Sequence, residues 1–234
     1  MQAVFVCGGR GTRLMPRRAG PKSLVEVGGS TLFARLAARI APLHTSRLRP
    51  IVIVDAADRE TPGAVRDVLP HARVIAQPRP DGVASAMLLA AEHLDERALV
   101  VLGDVFIDGR FDPAIDGAAV AWWTNAPDAE TRKNFGIVAE GGEVTRVVEK
   151  PADCSGLRCG MGVYVLTPAV VDRFRETPID PPTGERGITA ALQTAIDRGL
   201  TLRTLPFVGY YNNVNTPRDV VAVDDYLAAA AVRA

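Results

Sequence analysis

Apolar residues along the chain fall into two patterns. Continuous runs, "AVFVC", "PIVIVD", "ARVIAQ" and "ALVVLGD", alternate with stretches of helical period near Thr31–Leu43, Pro62–Leu69 and Gly82–Leu94. This order predicts a βαβ series and a parallel sheet. Runs so uniformly apolar suit strands covered on both faces, as in a doubly wound α/β fold. After Asp104 the rhythm changes. "AAVAWWT", "FGIVAE", a Gly141-Gly142 turn, "EVTRVVEK" and "CGMGVYVLT" read as strands separated by short helices only. The second half is therefore expected to be mixed or antiparallel. "GITAALQTAIDRG" and the tail from Thr216 to Arg233 restore helices, with "TLRTLPFV" as a strand between them.

The first strand breaks into glycine at "VFVCGGRGTRL", where Gly8, Gly9 and Gly11 bring backbone N–H groups close to something. Phosphate is the usual partner of such a turn, because consecutive amides form an anion-binding nest and only glycine permits the approach. Spacing separates the alternatives. A P-loop needs Lys-Ser/Thr after its second glycine, and Thr12-Arg13 stands there instead. A dinucleotide fingerprint starting at Gly9 would place its third glycine at Leu14, with Pro16 interrupting the following helix. A ligand-free turn competes with the phosphate reading, and the two cations Arg13 and Lys22 weigh against it.

At strand ends, where open α/β sheets bind ligands, stand the glycine loop, Asp55, Gln77 and Asp104. Asp104 is the sharpest of these, since a carboxylate closing a buried strand needs a cation or a donor. Glu149 and Lys150 are adjacent at the end of a hairpin strand. They point to opposite faces unless the strand ends and turns there.

Composition narrows the classes. The 234 residues suit one domain, and 27 basic residues balance 27 acidic ones, so bulk charge favours neither nucleic acid nor an anionic membrane. No apolar stretch reaches transmembrane length and the N-terminus enters a strand at once, which leads to the expectation of a soluble, cytoplasmic protein. Three cysteines and three histidines show no zinc spacing.

In sequence order, "CGGRGTRLMPRRAGPKSLVEVGG", "QPRPDGVASA", "LGDVF", "FGIV", "VVEKP", "GMGVYVL" and "NNVNTPRD" resemble the motifs of the sugar-phosphate nucleotidylyltransferases. The resemblance implies a single Rossmann-like (GT-A-type) domain with a mostly parallel central sheet flanked by helices. Residues 1–110, approximately, would form a nucleotide-binding half, and about 111–234 a mixed or antiparallel acceptor-binding half.

It also implies roles. Gly8, Gly9, Gly11 and Thr12 would hold the nucleotide phosphates, Arg13 the leaving pyrophosphate, and Lys22 the α-phosphate with the incoming phosphate. Gln77 and the Gly82 amide would read the base edge. Gly136, Glu149, Lys150 and Gly162 would bind the acceptor. Asp104 and Asn213 would hold Mg²⁺, with asparagine standing where many members carry aspartate.

The substrates implied are a nucleoside triphosphate, UTP or dTTP by the "QPRPDG" segment, and a phosphorylated small molecule such as a sugar 1-phosphate. A homodimer is expected. Cytidylyl or guanylyl transfer to heptose phosphate, phosphocholine or a phosphonate is the alternative, and Trp122-Trp123 would suit a choline cation. A glycosyltransferase of the same general fold would want an Asp-x-Asp pair, whereas "GDVFID" spaces Asp104 and Asp108 wrongly.

Overall fold

The computed structural model describes residues 1–9, 11, 14, 20–112 and 115–233. In chain order the elements are β1 (Gln2–Cys7), β2 (Glu26–Val27), β3 (Ser30–Thr31), α1 (Leu32–Ile40), β4 (Ile51–Asp55), α2 (Thr61–Val68), β5 (Arg73–Gln77) and α3 (Val83–Ala90). They continue with β6 (Ala98–Leu102), β7 (Val105–Arg110), β8 (Ala118–Trp123), α4 (Asp128–Lys133), β9 (Phe135–Glu140), β10 (Glu143–Glu149) and β11 (Arg158–Leu166). The last are α5 (Pro168–Arg173), α6 (Ile188–Asp197), β12 (Leu202–Asn213) and α7 (Pro217–Arg233).

Strands β5, β4, β1 and β6 are parallel neighbours, as the alternating pattern predicts. Beyond β6 the sheet continues through β11, β8, β12, β10 and β9 with mostly antiparallel pairs, and β7 pairs with β12. The fold is thus a mixed α/β domain. Taken whole, the sheet is not mostly parallel. The parallel expectation holds for β5, β4, β1 and β6, and antiparallel pairs predominate beyond them, as the second-half pattern predicts. Short links run from β7 to β8, β9 to β10 and β10 to β11, and one long connection through α5 and α6 leads into β12, which runs parallel to β8. Nor is every early strand covered on both faces. β5 is the edge strand, and Arg73, Val74 and Ala76 are exposed on it.

Two apolar layers sandwich the sheet. Val4, Val6 and Ile53 face Met87 and Ala90 of α3 and Leu192 of α6, while Phe5, Val52 and Val54 face Phe33, Leu36 and Ile40 of α1. Helix α1 forms where it does because Leu32, Phe33, Leu36, Ala37 and Ile40 recur at helical spacing and the Thr31 hydroxyl accepts the Ala34 N–H. Full burial of a side chain such as Phe33 contributes about 1.5–3 kcal/mol. Among the described residues no helix is long and apolar enough to cross a membrane.

One strand, β12, runs longer than the pattern predicts, and another, β11, runs past its neighbour. β12 pairs parallel with β8 through Phe207, then antiparallel with β7 from Val208 to Asn213. Just past the change of partner stands Gly209, where φ is 148° and a Cβ would lie 2.4 Å from the Asp108 carbonyl oxygen. β11 overruns β6, so that Arg158–Gly160 pair with Phe135–Ile137 of β9. Its register shifts between Gly160 and Tyr164, and there the Gly162 N–H donates to the Tyr211 hydroxyl at 3.2 Å instead of to a strand.

That bond generates a prediction. Tyr211 is 1% exposed, so Tyr211→Phe leaves the Gly162 N–H without its acceptor and lowers unfolding free energy by about 1–3 kcal/mol, measurable by urea denaturation. An unchanged urea midpoint would show that water or another acceptor replaces the hydroxyl.

Candidate active site

The glycine loop folds back on itself before reaching the second cation. The Leu14 N–H donates to the Gly11 carbonyl at 2.9 Å, and the Lys22 N–H donates to the Gly9 carbonyl at 3.0 Å. Gly11 has φ 65°, and a Cβ there would fall 2.6 Å from the Gly20 carbonyl oxygen. A Cβ on Gly9 would press on the Lys22 stem at 3.1 Å. These glycines let the outgoing and returning chain lie against each other, which sets Lys22 at the mouth of β1. Thr12 and Arg13 lie outside the described residues.

The Lys22 ammonium donates to Asp104 Oδ2 at 3.0 Å and to Asn215 Oδ1 at 2.5 Å. Asp104 sits in the turn from β6 to β7, fixed on one side by Gly103 N–H to the Val6 carbonyl and on the other by Val214 N–H to its own carbonyl, both 2.8 Å. Gly103 is required for that approach, since a Cβ would lie 2.6 Å from the Cys7 sulfur. With Lys22 and Asp104 only 13% and 22% exposed, their pairing is poorly screened.

Gln77 closes β5 and is 3% exposed. Its Nε2 donates to Asp81 Oδ1 at 2.8 Å and to the Gly82 carbonyl at 3.1 Å, which turns Oε1 toward Gly8. Gly82 has φ 103°, and its Cβ would collide with the Arg186 carbonyl oxygen at 2.3 Å. The structure thus brings Gly8, Gly9, Lys22, Gln77, Gly82 and Asp104 around one cleft of about 190 Å³, bordered also by Glu185.

Cys7 lies at the floor of this cleft. Burial pushes its thiol far above the ordinary range, and Asp104 and Asp58 add to the shift. A protonated thiol is a poor nucleophile.

The remaining expected residues gather beside the cleft. Glu149 accepts the Thr189 hydroxyl at 2.6 Å, and its other oxygen lies 3.4 Å from the Lys150 ammonium. The two side chains therefore do not diverge as strand neighbours would. The strand ends at Glu149, and Lys150 adopts φ 42° with its N–H given to the Asn134 carbonyl at 3.0 Å. Asn213, at the end of β12, donates its Nδ2 to Asn134 Oδ1 at 3.3 Å.

Gly136 sits in β9 with its Cβ direction closed by Leu157 at 2.5 Å, and Gly162 sits inside β11 against Leu102 and Val105. Close packing accounts for both glycines. The tryptophans do not converge on one space. Trp122 carries the guanidinium of Arg158 over its ring at 4.9 Å, while Trp123 donates to the Gly209 carbonyl among Tyr210 and Tyr211. Asp108 accepts the Tyr226 hydroxyl at 2.8 Å, which engages it with α7.

The nucleotidyl transferase family profile matches residues 2–231. The chain belongs to this family. It is 28% identical over 94% of its length to the UTP–glucose-1-phosphate uridylyltransferase AglF of Haloferax volcanii, covering 93% of that protein. It is 32% identical over 96% of its length to a glucose-1-phosphate thymidylyltransferase of Streptomyces antibioticus, of which it spans 65%. Its fold matches that of a UDP-glucose pyrophosphorylase solved with UDP-glucose, with a TM-score of 0.79, 18% identity and coverage of 97% and 98% of the two chains. An inositol-1-phosphate CTP transferase from T. maritima shares the fold with a TM-score of 0.77 at 18% identity, covering 96% and 94%. The chain is accordingly an enzyme of the sugar-phosphate nucleotidylyltransferase type.

Members of such a family work with a divalent cation, and the residues here fit one. A hard cation takes oxygen ligands, commonly one or two carboxylates completed by substrate phosphates. Asp104 supplies a carboxylate. Asn213 Oδ1 is buried and has no hydrogen-bond partner among the described residues. Among those residues no group of three or more His, Cys, Asp or Glu side chains could hold a metal without such help.

Reasoning from sequence missed Asn215, which clamps Lys22. The available signal was the "TPRD" capping pattern. Asp219 Oδ2 accepts from the Asn215 and Thr216 N–H groups at 3.1 and 2.8 Å, which anchors Asn215 at the start of α7.

The left-handed Lys150 predicts an effect on stability. A non-glycine residue in this conformation costs about 1–2 kcal/mol, so Lys150→Gly is expected to raise unfolding free energy by about 1 kcal/mol. Chemical denaturation checks it. A glycine variant no more stable than Lys150→Ala would remove the strain argument.

Proposed function

We propose that the enzyme condenses a nucleoside triphosphate, UTP or dTTP, with a sugar 1-phosphate, giving an NDP-sugar and pyrophosphate. The observation that carries the base assignment is the orientation of Gln77. With both its N–H groups held by Asp81 and Gly82, it offers only the acceptor Oε1 to the cleft. An imide N–H of uracil or thymine would donate to that oxygen, and a base carbonyl would accept from the Gly82 amide. The first half of the chain then serves the nucleotide and the second the acceptor.

Both substrates are anions that repel each other, so the protein's main task is to neutralise and align them. Lys22, anchored through Asp104 and Asn215, would stand by the α-phosphate where both substrates meet. Gly8, Gly9, Gly11 and Thr12 would cradle the phosphates, and Arg13 would meet the leaving pyrophosphate.

Lys150 would bind the acceptor phosphate, with Glu149 and Gly136 on sugar hydroxyls and Gly162 behind them. An oxygen of the acceptor phosphate attacks the α-phosphorus as the bond to the β-phosphate oxygen breaks. The acceptor is already ionised at neutral pH, so no general base is needed. Asp104 and Asn213 would hold Mg²⁺, which when bound supplies charge neutralisation of the phosphates.

Pyrophosphate release from each of five nucleoside triphosphates with glucose 1-phosphate tests the reading. UTP or dTTP should exceed ATP, which has no ring N–H on that edge, by at least about tenfold, roughly one well-placed hydrogen bond to the base, and should also exceed GTP. Excess chelator and Asp104→Ala should each abolish turnover with the fold retained by circular dichroism. A strict preference for GTP would overturn the Gln77 assignment, a preference for CTP would favour the cytidylyl alternative, and no release with any sugar phosphate would overturn the reaction.

A further inference from the structure

An asparagine serves as a cation ligand only when its oxygen, not its NH₂, faces the ion. A carboxylate has no such constraint, because its two ends are equivalent. Where Asn213 occupies a ligand position, something must therefore set the direction of its amide. Among the described residues, Asn134 is placed to do so.

Asn134 is 8% exposed and ends α4. Its Nδ2 donates to the Glu130 carbonyl at 2.9 Å, and its backbone N–H reaches the same carbonyl at 3.0 Å. With the nitrogen so engaged, its Oδ1 is presented to Asn213, whose Nδ2 donates to it at 3.3 Å. The Asn213 amide is thereby oriented with its oxygen away from Asn134, and this is the buried oxygen without a partner among the described residues. The Asn134 carbonyl also accepts the Lys150 N–H at 3.0 Å, which ties the residue to the end of β10 as well as to α4.

We propose that Asn134 is a positioning residue that fixes the Asn213 amide with its oxygen toward the divalent cation. This rests on the reading of Asn213 as a cation ligand. A helix-capping role alone would affect stability and leave cation affinity unchanged.

The probe is Mn²⁺, its affinity measured by electron paramagnetic resonance on the full chain in the presence of a non-reacting UTP analogue. Asn134→Ala should weaken Mn²⁺ binding about tenfold, the low end of effects seen when a group orienting a metal ligand is removed. In an Asn213→Asp background, where either end of the side chain is an oxygen, the same change should alter affinity by less than about twofold. Asn134→Ser keeps a polar group at the end of α4 yet is too short to reach Asn213. It carries the same expectations should the alanine variant fail to fold.

Equal losses in both backgrounds would mark general damage and overturn the proposal. Wild-type affinity in Asn134→Ala, alongside a clear loss in Asn213→Ala, would overturn the proposal alone. Wild-type affinity in Asn213→Ala would overturn the ligand assignment and the proposal with it.

Discussion

The Lys22 ammonium, shared between Asp104 and Asn215, is the contact on which the site is organised. It joins three parts of the chain that are distant in sequence: the return of the glycine loop, the turn after β6 and the start of α7. A lysine so little exposed is tolerable because a carboxylate and an amide oxygen replace its water. The same placement keeps a positive charge at the C-terminal edge of the parallel strands, where β1, β5 and β6 all end. Anions brought there meet charge already oriented, which costs no reorganisation when they react.

Strand geometry explains how the residues proposed for acceptor and cation reach that edge. A run of parallel strands alone would deliver only Gly8, Gln77 and Asp104. The bend of β12 at Gly209 carries Asn213 and Asn215 alongside the Asp104 turn. The overrun of β11 past β6 gives β9 a place to pair, with β10 beside it, and so sets Asn134 against Asn213 and Lys150 against Asn134. Close glycine contacts at 82, 103 and 209 are the local condition for these approaches, each leaving no room for a Cβ.

Much of this was legible in the sequence. The helical stretches near Thr31, Pro62 and Gly82 and the apolar strand runs correspond to observed elements, because period and burial agree there. Gly8, Gly9, Lys22, Gln77, Gly82 and Asp104 were named from motifs and line one cleft. Other features depend on tertiary pairing that local pattern does not encode. "VFIDGR" carries no strand alternation strong enough to announce β7, and "YYNN" reads as polar although it completes β12 against it. The side-by-side placement of Glu149 and Lys150 follows from a left-handed residue that no lysine would signal. Asn134 and Asn215 act through amide groups whose partners lie 79 and 193 residues away.

The central claim is that the cleft aligns two phosphates for one direct displacement, with no enzyme-bound intermediate. The stereochemical course at a chiral α-phosphorothioate of the accepted nucleotide tests it most directly. A single in-line displacement predicts inversion at the α-phosphorus. Retention would require two displacements through a covalent nucleotidyl-enzyme and would contradict the account.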